Sequence, residues 1–405
     1  MEGNRLIQSL RLQNLLSFGE EAQEIELHPL NVLIGPNASG KSNLIEAISL
    51  LRATPRDFTA PIRAGGGISE WLWKGSQDIP VARIEATVDY PQGVMPLRYQ
   101  LCFTAVGQRL ELIDEAVENE QPLFNEEDVF FFYRYQHGNP VLSVRTTSEV
   151  PAGTSTNRHK RGLRREDLSP EQSVLSQRKD PDQYPEITYL GNQFDRIRLY
   201  REWNLGRNTL PRMPQPADAP GDFLEPDAGN LGLVLNNLQY QPDTKRLITE
   251  QLRKVYETAD EVSTRIYGGT VQVFVHETGL NQPVPATRLS DGTIRYLCLL
   301  AILCHPTPPP LICIEEPELG MHPDIIPTIA ELLVDASQRT QLIVTTHSDI
   351  LVSALSSIPE AVIVCDRDAT GSQLQRLDAE QLQEWLEKFA LGDLWRMGEI
   401  RGTRW

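Results

Sequence analysis

The 405-residue sequence predicts an α/β protein: a parallel β-sheet flanked by helices, joined to an antiparallel β lobe, with a helical part inserted between them. Three observations predict it. A buried apolar run ends in "GPNASGKS" (35–42) and gives way to helical spacing. Strand-like runs separated by turns follow, at "ARIEATVDY", "RYQLCFTAV", "RLELIDEAV" and "VFFFYRYQ". After Leu289 helices and apolar strands alternate, which implies parallel strands with crossover helices.

Taken in order, the first 35 residues read as strands, with alternation at "LRLQ" and "IEL". From Ser42 the residues Leu44, Ile45, Ile48 and Leu51 recur at helical spacing, and Thr54-Pro55 closes that helix. The four strand-like runs form the antiparallel lobe. "PAGTSTNRHKRG" reads as a loose polar excursion. From Ser169 to Ile266 the chain reads as mainly helical, interrupted by the proline-rich "NTLPRMPQPADAPGDFLEPD", and "VQVFVHE" reads as a strand. Then come a helix (Ile294–Cys304) and strands at Leu311–Ile314, Leu342–Thr346 and Val362–Cys365, separated by helices. The expected divisions are 1–150 (phosphate loop and antiparallel lobe), 151–285 (basic loop and helical insertion), 286–370 (second lobe) and 371–405 (helical tail).

Composition bounds the function. Hydrophobic residues make up 40% and charged residues 23%, as in an ordinary cored protein. No apolar run approaches the ~18 residues that cross a bilayer, and "MEGNRLIQS" has no signal-peptide pattern, so a cytoplasmic chain without membrane contact is expected. Five cysteines without a CxxC pair suit reduced thiols in a core. A net charge of −17 argues against nonspecific coating of nucleic acid. Charge is uneven, however: between Pro151 and Arg212 stand 12 Lys and Arg against 8 Asp and Glu, densest at "RHKRGLRR" (158–165). That run reads as a solvated loop or as a contact for a phosphate backbone.

Four motifs carry the chemistry. "GPNASGKS" fits G-x-x-x-x-G-K-[ST] between a strand and a helix. Gly35, Pro36, Asn37, Ala38, Ser39, Gly40, Lys41, Ser42 and Asn43 would wrap a triphosphate. Backbone N–H groups and the helix N-terminus supply positive potential there. Lys41 would reach the β and γ phosphates, and the Ser42 hydroxyl would ligate magnesium. "LICIEEPELGMHP" (311–323) brings Glu315 to a strand end as the magnesium-side acid and Glu316 as the general base. "LIVTTHSDIL" (342–351) brings His347 to the next strand end, within reach of a γ-phosphate. "RLSDGTIRYLCLLAILC" (288–304) sets Ser290 and Gly292 before a long apolar helix; Ser290 reads as an N-cap and as an anion site.

This ordered set resembles the ABC-type ATPases with a P-loop NTPase head, and within them the RecF/SMC/OLD-like branch. "GPNASGKSN" is similar to that branch's G-P-N-x-x-G-K-S-N, and "EEPELGMHP" to the E-E-P-E-x-x-L-H-P of OLD-like ATPases. The resemblance covers about 1–50 and 285–366. It implies that Ser290 and Gly292 belong to a signature motif contacting the γ-phosphate held by a second subunit. Leu319 to Pro323 would then form a D-loop at the dimer interface, and two ATP molecules with Mg2+ would lie between head-to-tail protomers. It also implies a magnesium-sensing glutamine after the antiparallel lobe, for which Gln177 is the candidate, with Gln193 behind it. Glu315 in place of the commoner aspartate, and "LSDGT" in place of L-S-G-G, both point to the OLD-like side.

The expected function is therefore an ATP-hydrolysing homodimeric clamp or switch, acting on DNA in repair or in antiviral (antiphage) defence. The alternative is a regulatory ATPase that controls a separate effector protein, such as a nuclease, mainly through protein contacts. A GTPase should show N-K-x-D, and "NQFD" (192–195) has Gln in the second place. A transporter ATPase would not separate Lys41 from Ser290 by 249 positions. Asp366 and Asp368 in "VIVCDRDATG" resemble part of a Toprim nuclease site, but 39 residues follow Asp366 and no matching glutamate motif precedes it. That strand is expected to be the last of the ATPase sheet. The tail "LQEWLEKFALGDLWRMGEIRG", with Trp385, Phe389, Leu394 and Trp395, reads as a helix packed on the core or docking a partner.

Overall fold

Leu30–Ile34 (β3) is wholly buried, and its side chains alternate between two cores. Leu33 faces one core, while Leu30, Val32 and Ile34 face the other. A computed structural model describes residues 3–401 except 125, 137–138, 146–157, 163–168 and 170. In it β3 lies inside a six-stranded sheet ordered β10 (Arg198–Tyr200), β15 (Leu311–Glu315), β16 (Gln341–Thr345), β3, β17 (Val362–Asp368), β18 (Gly371–Arg376). The first five run parallel and β18 returns antiparallel. The same alternation holds along the neighbouring strands, with Cys313, Ile343 and Cys365 on one face and Ile314, Val344 and Val364 on the other. A sheet buried on both faces explains why these strands read as continuous apolar runs.

One face packs against an eight-stranded antiparallel sheet. Its order is β2 (Gln23–Glu26), β1 (Ile7–Gln13), β4 (Ala82–Val88), β5 (Leu97–Val106), β6 (Arg109–Asn119), β7 (Phe131–Gln136), β8 (Asn139–Arg145) and β9 (Arg158–Gly162). Helices α1 (Lys41–Ala53), α2 (Thr59–Ala64), α3 (Ile68–Trp71), α4 (Val174–Gln177) and α5 (Pro185–Asp195) contribute to that core. The other face is covered by α6 (Leu231–Gln239), α7 (Pro242–Val255), α8 (Asp291–Leu303), α9 (Ile326–Ala336), α10 (Asp349–Ala354) and α12 (Leu391–Met397). A small sheet of β11 (Gln215–Pro216), β13 (Thr270–Glu277) and β12 (Ala259–Tyr267), with β14 (Val284–Pro285) on β13, flanks these helices. α8 is buried at every position from Ile294 to Leu303, so its apolar stretch shows no amphipathic face. The Gln341 side chain joins the two sheets: its Oε1 accepts from Ile7 N at 2.9 Å and its Nε2 donates to Ile7 O at 2.8 Å.

Four expectations need correction. The stretch 169–266 is not mainly helical, because β10 and most of β12 lie in it. β10 is three residues long and begins on an arginine, too short for a visible period, and β12 ("ADEVSTRIY") is half polar because one side faces solvent. Of the basic run, 158–162 form β9 where a loose excursion was expected, while Arg164 and Arg165 fall outside the described residues. The strand bearing Asp366 and Asp368 is the penultimate one, since β18 pairs with it at the sheet edge. The tail is two helices, α11 (Ala379–Leu386) and α12. Leu391, Leu394 and Trp395 are buried, whereas Trp385 and Phe389 stay partly exposed. All five cysteines are free and buried.

Glu115 on β6 fastens the antiparallel lobe to α4. Fully buried, it accepts from Tyr99 Oη at 2.7 Å, from Val174 N at 2.9 Å and from Ser173 Oγ. Burial pushes its carboxyl from 4.5 up to about 7. A carboxyl raised in the folded state favours folding below its unfolded value and loses that contribution as pH rises through the folded one. The stability of the protein relative to Glu115→Gln should therefore fall between pH 4.5 and about 7. Urea midpoints of both proteins across that range measure it, and a difference that stays constant would contradict the raised value.

Candidate nucleotide site

Parallel pairing sends the C-terminal ends of β10, β15, β16, β3 and β17 to one edge of the sheet, where ligands bind in open α/β folds. Gly35 follows β3 there with φ 143°, and a Cβ on it would stand 2.1 Å from Cys365 O. Gly40 caps α1 with φ 108°, and a Cβ there would meet Ser372 Oγ at 2.3 Å. Both positions thus require glycine. Pro36 to Ser39 and Asp366 to Asp368 line a cleft of about 560 Å³. Lys41 is nearly buried and folds back on its own loop, donating to Gly35 O at 2.7 Å and Pro36 O at 2.9 Å. Burial lowers its pKa, with Glu316 opposing the shift. Ser39 Oγ is buried and finds no hydrogen-bond partner among the described residues. A lysine resting on loop carbonyls, beside an unused hydroxyl, is a cradle suited to an anion.

The two acids leave β15 differently. Glu315 is its last residue, paired in register with Thr345. Glu316 turns out of the strand with φ 46°, a left-handed conformation uncommon outside glycine. It is held there by its N–H on Thr345 O at 3.0 Å. Its Oε1 lies 3.8 Å from His347 Nε2, and both side chains are about two-fifths exposed. Burial and then Lys41 lower the His347 pKa, against the pull of Glu316.

Ser290 caps α8, its Oγ accepting from Thr293 N at 3.0 Å. The residue is exposed. Gly292 lies against the following segment, since a Cβ on it would stand 3.4 Å from Gly320 O. Arg212, 1% exposed, fixes this corner: it donates to Leu205 O at 2.8 Å, to Ala286 O at 3.0 Å, to Leu289 O and to Asp291 Oδ1. Gln177 is engaged within its own loop. Its amide bonds Ser169 N at 2.9 Å and Gln172 O at 2.9 Å, and ligating a metal would require giving these up. Gln193 lies in the last turn of α5.

Several residues that sequence reasoning passed over belong to this edge. Arg201, just past β10, bonds Glu315 Oε1 at 2.9 Å and Glu46 Oε1 at 2.7 Å. Arg295 donates to Glu316 O at 3.3 Å and lies 5.4 Å over the Trp203 ring. Glu318 accepts from Thr346 Oγ1 and from His347 N at 3.1 Å, so it ties the segment after β15 to the end of β16. The last of these was visible in "EEPE"; the arginines carried no local signal.

The donors fit a nucleotide with magnesium. Ser42 and Glu315 are hard oxygen donors beside the loop, and magnesium is ordinarily held by one or two such groups together with phosphate oxygens.

The comparisons with known proteins agree with this geometry. A family model described as "AAA domain, putative AbiEii toxin, Type IV TA system" matches residues 30–85 and 109–353. The DNA replication and repair protein RecF of Limosilactobacillus fermentum is 35% identical over 108 residues, 26% of this chain and 26% of that protein. The Old nuclease of Escherichia phage P2 is 30% identical over 159 residues, 36% of this chain and 25% of that protein. The matched segments thus span about a quarter of either curated relative. Among solved structures, an SMC head bound to the C-winged helix domain of ScpA aligns over 93% of this chain and 99% of its own, with TM-score 0.59 and 14% identity. The SMC head with an extended coiled coil, bound to the C-terminal domain of ScpA from Pyrococcus furiosus, aligns over 95% and 99%, with TM-score 0.58 and 13% identity. At such identities the likeness is one of fold. The family match spans most of the chain, and with the motifs at the sheet edge it places the protein in that AAA family, as an ABC-type ATPase of the RecF/SMC/OLD branch.

Proposed function

We propose that the chain binds ATP with Mg2+ and hydrolyses it between two head-to-tail copies, acting as a nucleotide-controlled clamp in DNA repair or antiphage defence. The observation that carries this reading is the convergence of Lys41, Glu315, Glu316 and His347 at one sheet edge, beside a loop whose lysine rests on its own carbonyls. Lys41 and the loop amides of residues 35–43 hold the phosphates. Ser42 and Glu315 would hold magnesium, which neutralises phosphate charge when bound. Glu316 accepts a proton from the attacking water, and His347 donates a hydrogen bond to the γ-phosphate. Ser290 is exposed and, among the described residues, hydrogen-bonds Thr293 of its own helix. Its helix N-terminus is thereby free to meet the γ-phosphate of a second copy.

Ser290→Arg tests the dimeric part. The variant should keep ATP binding and lose phosphate release, and wild-type specific activity should rise with protein concentration at the dilute end. Full activity in Ser290→Arg, with turnover strictly proportional to protein, would overturn the shared site. The net charge of −17 favours a second reading, in which the ATPase regulates a separate effector such as a nuclease through protein contacts. Both readings use the same nucleotide chemistry. No helix among the described residues is long and apolar enough to cross a membrane.

A further inference from the structure

The carboxylate assigned to magnesium already has a cation. Arg201 stands at the end of β10, whose parallel register with β15 (Tyr200 opposite Ile314) brings its guanidinium beside Glu315. Its Nε donates to Glu315 Oε1 at 2.9 Å and its Nη1 to Glu46 Oε1 at 2.7 Å. Glu46 lies one turn beyond Ser42 on α1, on the same helix face. One guanidinium therefore bridges the strand of the acid and the helix of the magnesium-side hydroxyl. All three side chains keep some solvent contact, at 31%, 26% and 19% exposed. Pairs this far covered gain their attraction against a desolvation cost, so anchoring the fold is a weak reason for this geometry.

We propose that Arg201 is a positioning residue that competes with Mg2+ for Glu315 and so sets how much magnesium the bound nucleotide requires. This rests on the nucleotide-site reading above. An arginine and a divalent cation on one carboxylate repel each other, so magnesium engagement displaces the guanidinium. Glu46 makes displacement cheap: Arg201 releases Glu315 and keeps a charged partner. It also acts at the strand end beside Glu315, a place that neither Gln177 nor Gln193 occupies. Any magnesium sensing at that strand end would thus run through a cation that must leave rather than through a neutral amide that must bind.

The test is a magnesium titration of fluorescent ADP binding to the full chain, begun in EDTA, for wild type, Arg201→Gln and Glu46→Gln. In EDTA, Arg201→Gln should bind ADP no tighter than wild type, since the uncompensated carboxylates repel the phosphates. The magnesium concentration for half effect should fall by about tenfold in Arg201→Gln, where two carboxylates lose their counterion. It should rise in Glu46→Gln, where the guanidinium has Glu315 alone. An unchanged or higher requirement in Arg201→Gln overturns the competition while leaving the nucleotide site intact. If wild type binds no ADP under any condition, the nucleotide site itself fails, and the proposal with it. Circular dichroism of each variant excludes a folding defect as the cause.

Discussion

Replacing Glu316 by glutamine should lower ATP turnover by about 10² to 10⁴-fold while leaving ATP affinity nearly unchanged. The amide is isosteric with the carboxylate, so it preserves the turn at φ 46° and the backbone bond to Thr345. What it loses is basicity: an amide cannot take the proton of the attacking water. His347, whose Nε2 lies 3.8 Å from the same carboxylate, is assigned to the γ-phosphate rather than to the water. Glu315 cannot substitute either, since during turnover it is assigned to magnesium. Single-turnover phosphate release with saturating ATP measures the loss. A fall of less than about threefold would move the base elsewhere.

The second large effect is on binding. Lys41→Ala should weaken ATP by about 100-fold, corresponding to about 2.7 kcal/mol, the range of a hydrogen bond between charged partners. The lysine is placed for this without ligand. It is nearly buried, desolvated, and bonded to two carbonyls that a phosphate would replace as acceptor. The helix that carries it is held independently by Leu44, Ile45, Ile48 and Leu51, so the variant should fold. Isothermal titration with ATP and Mg2+ reads the change; affinity within a few-fold of wild type would show that the phosphates lie elsewhere.

What could be read from the sequence divides along a physical line. The phosphate loop was legible because its requirements are local: glycines at φ 143° and 108°, then the helix N-terminus that follows. Strands β3, β15 and β16 were legible because burial on both faces leaves largely apolar runs, and in β15 and β16 a polar residue at the end marks the sheet edge. The antiparallel lobe showed through alternation along β4 to β6. Arg201 was not legible, since its place depends on the pairing of a three-residue strand with one more than a hundred positions later. Arg212 was hidden for the same reason: a proline-rich connection gave no hint that its arginine would be the buried clasp of the segment around Ser290. The glutamine expected after the antiparallel lobe went to Gln177 because sequence order placed it there, whereas its amide is engaged in its own loop.

The central claim is that ATP joins two copies of this chain and that hydrolysis lets them part. The solution mass of Glu316→Gln by light scattering, in Mg·ATP and then in Mg·ADP, tests it most directly. The variant should hold ATP without consuming it, so its mass should double with ATP and stay at the starting value with ADP. A mass that is the same in both nucleotides, while ATP is demonstrably bound, would contradict the nucleotide-controlled dimer.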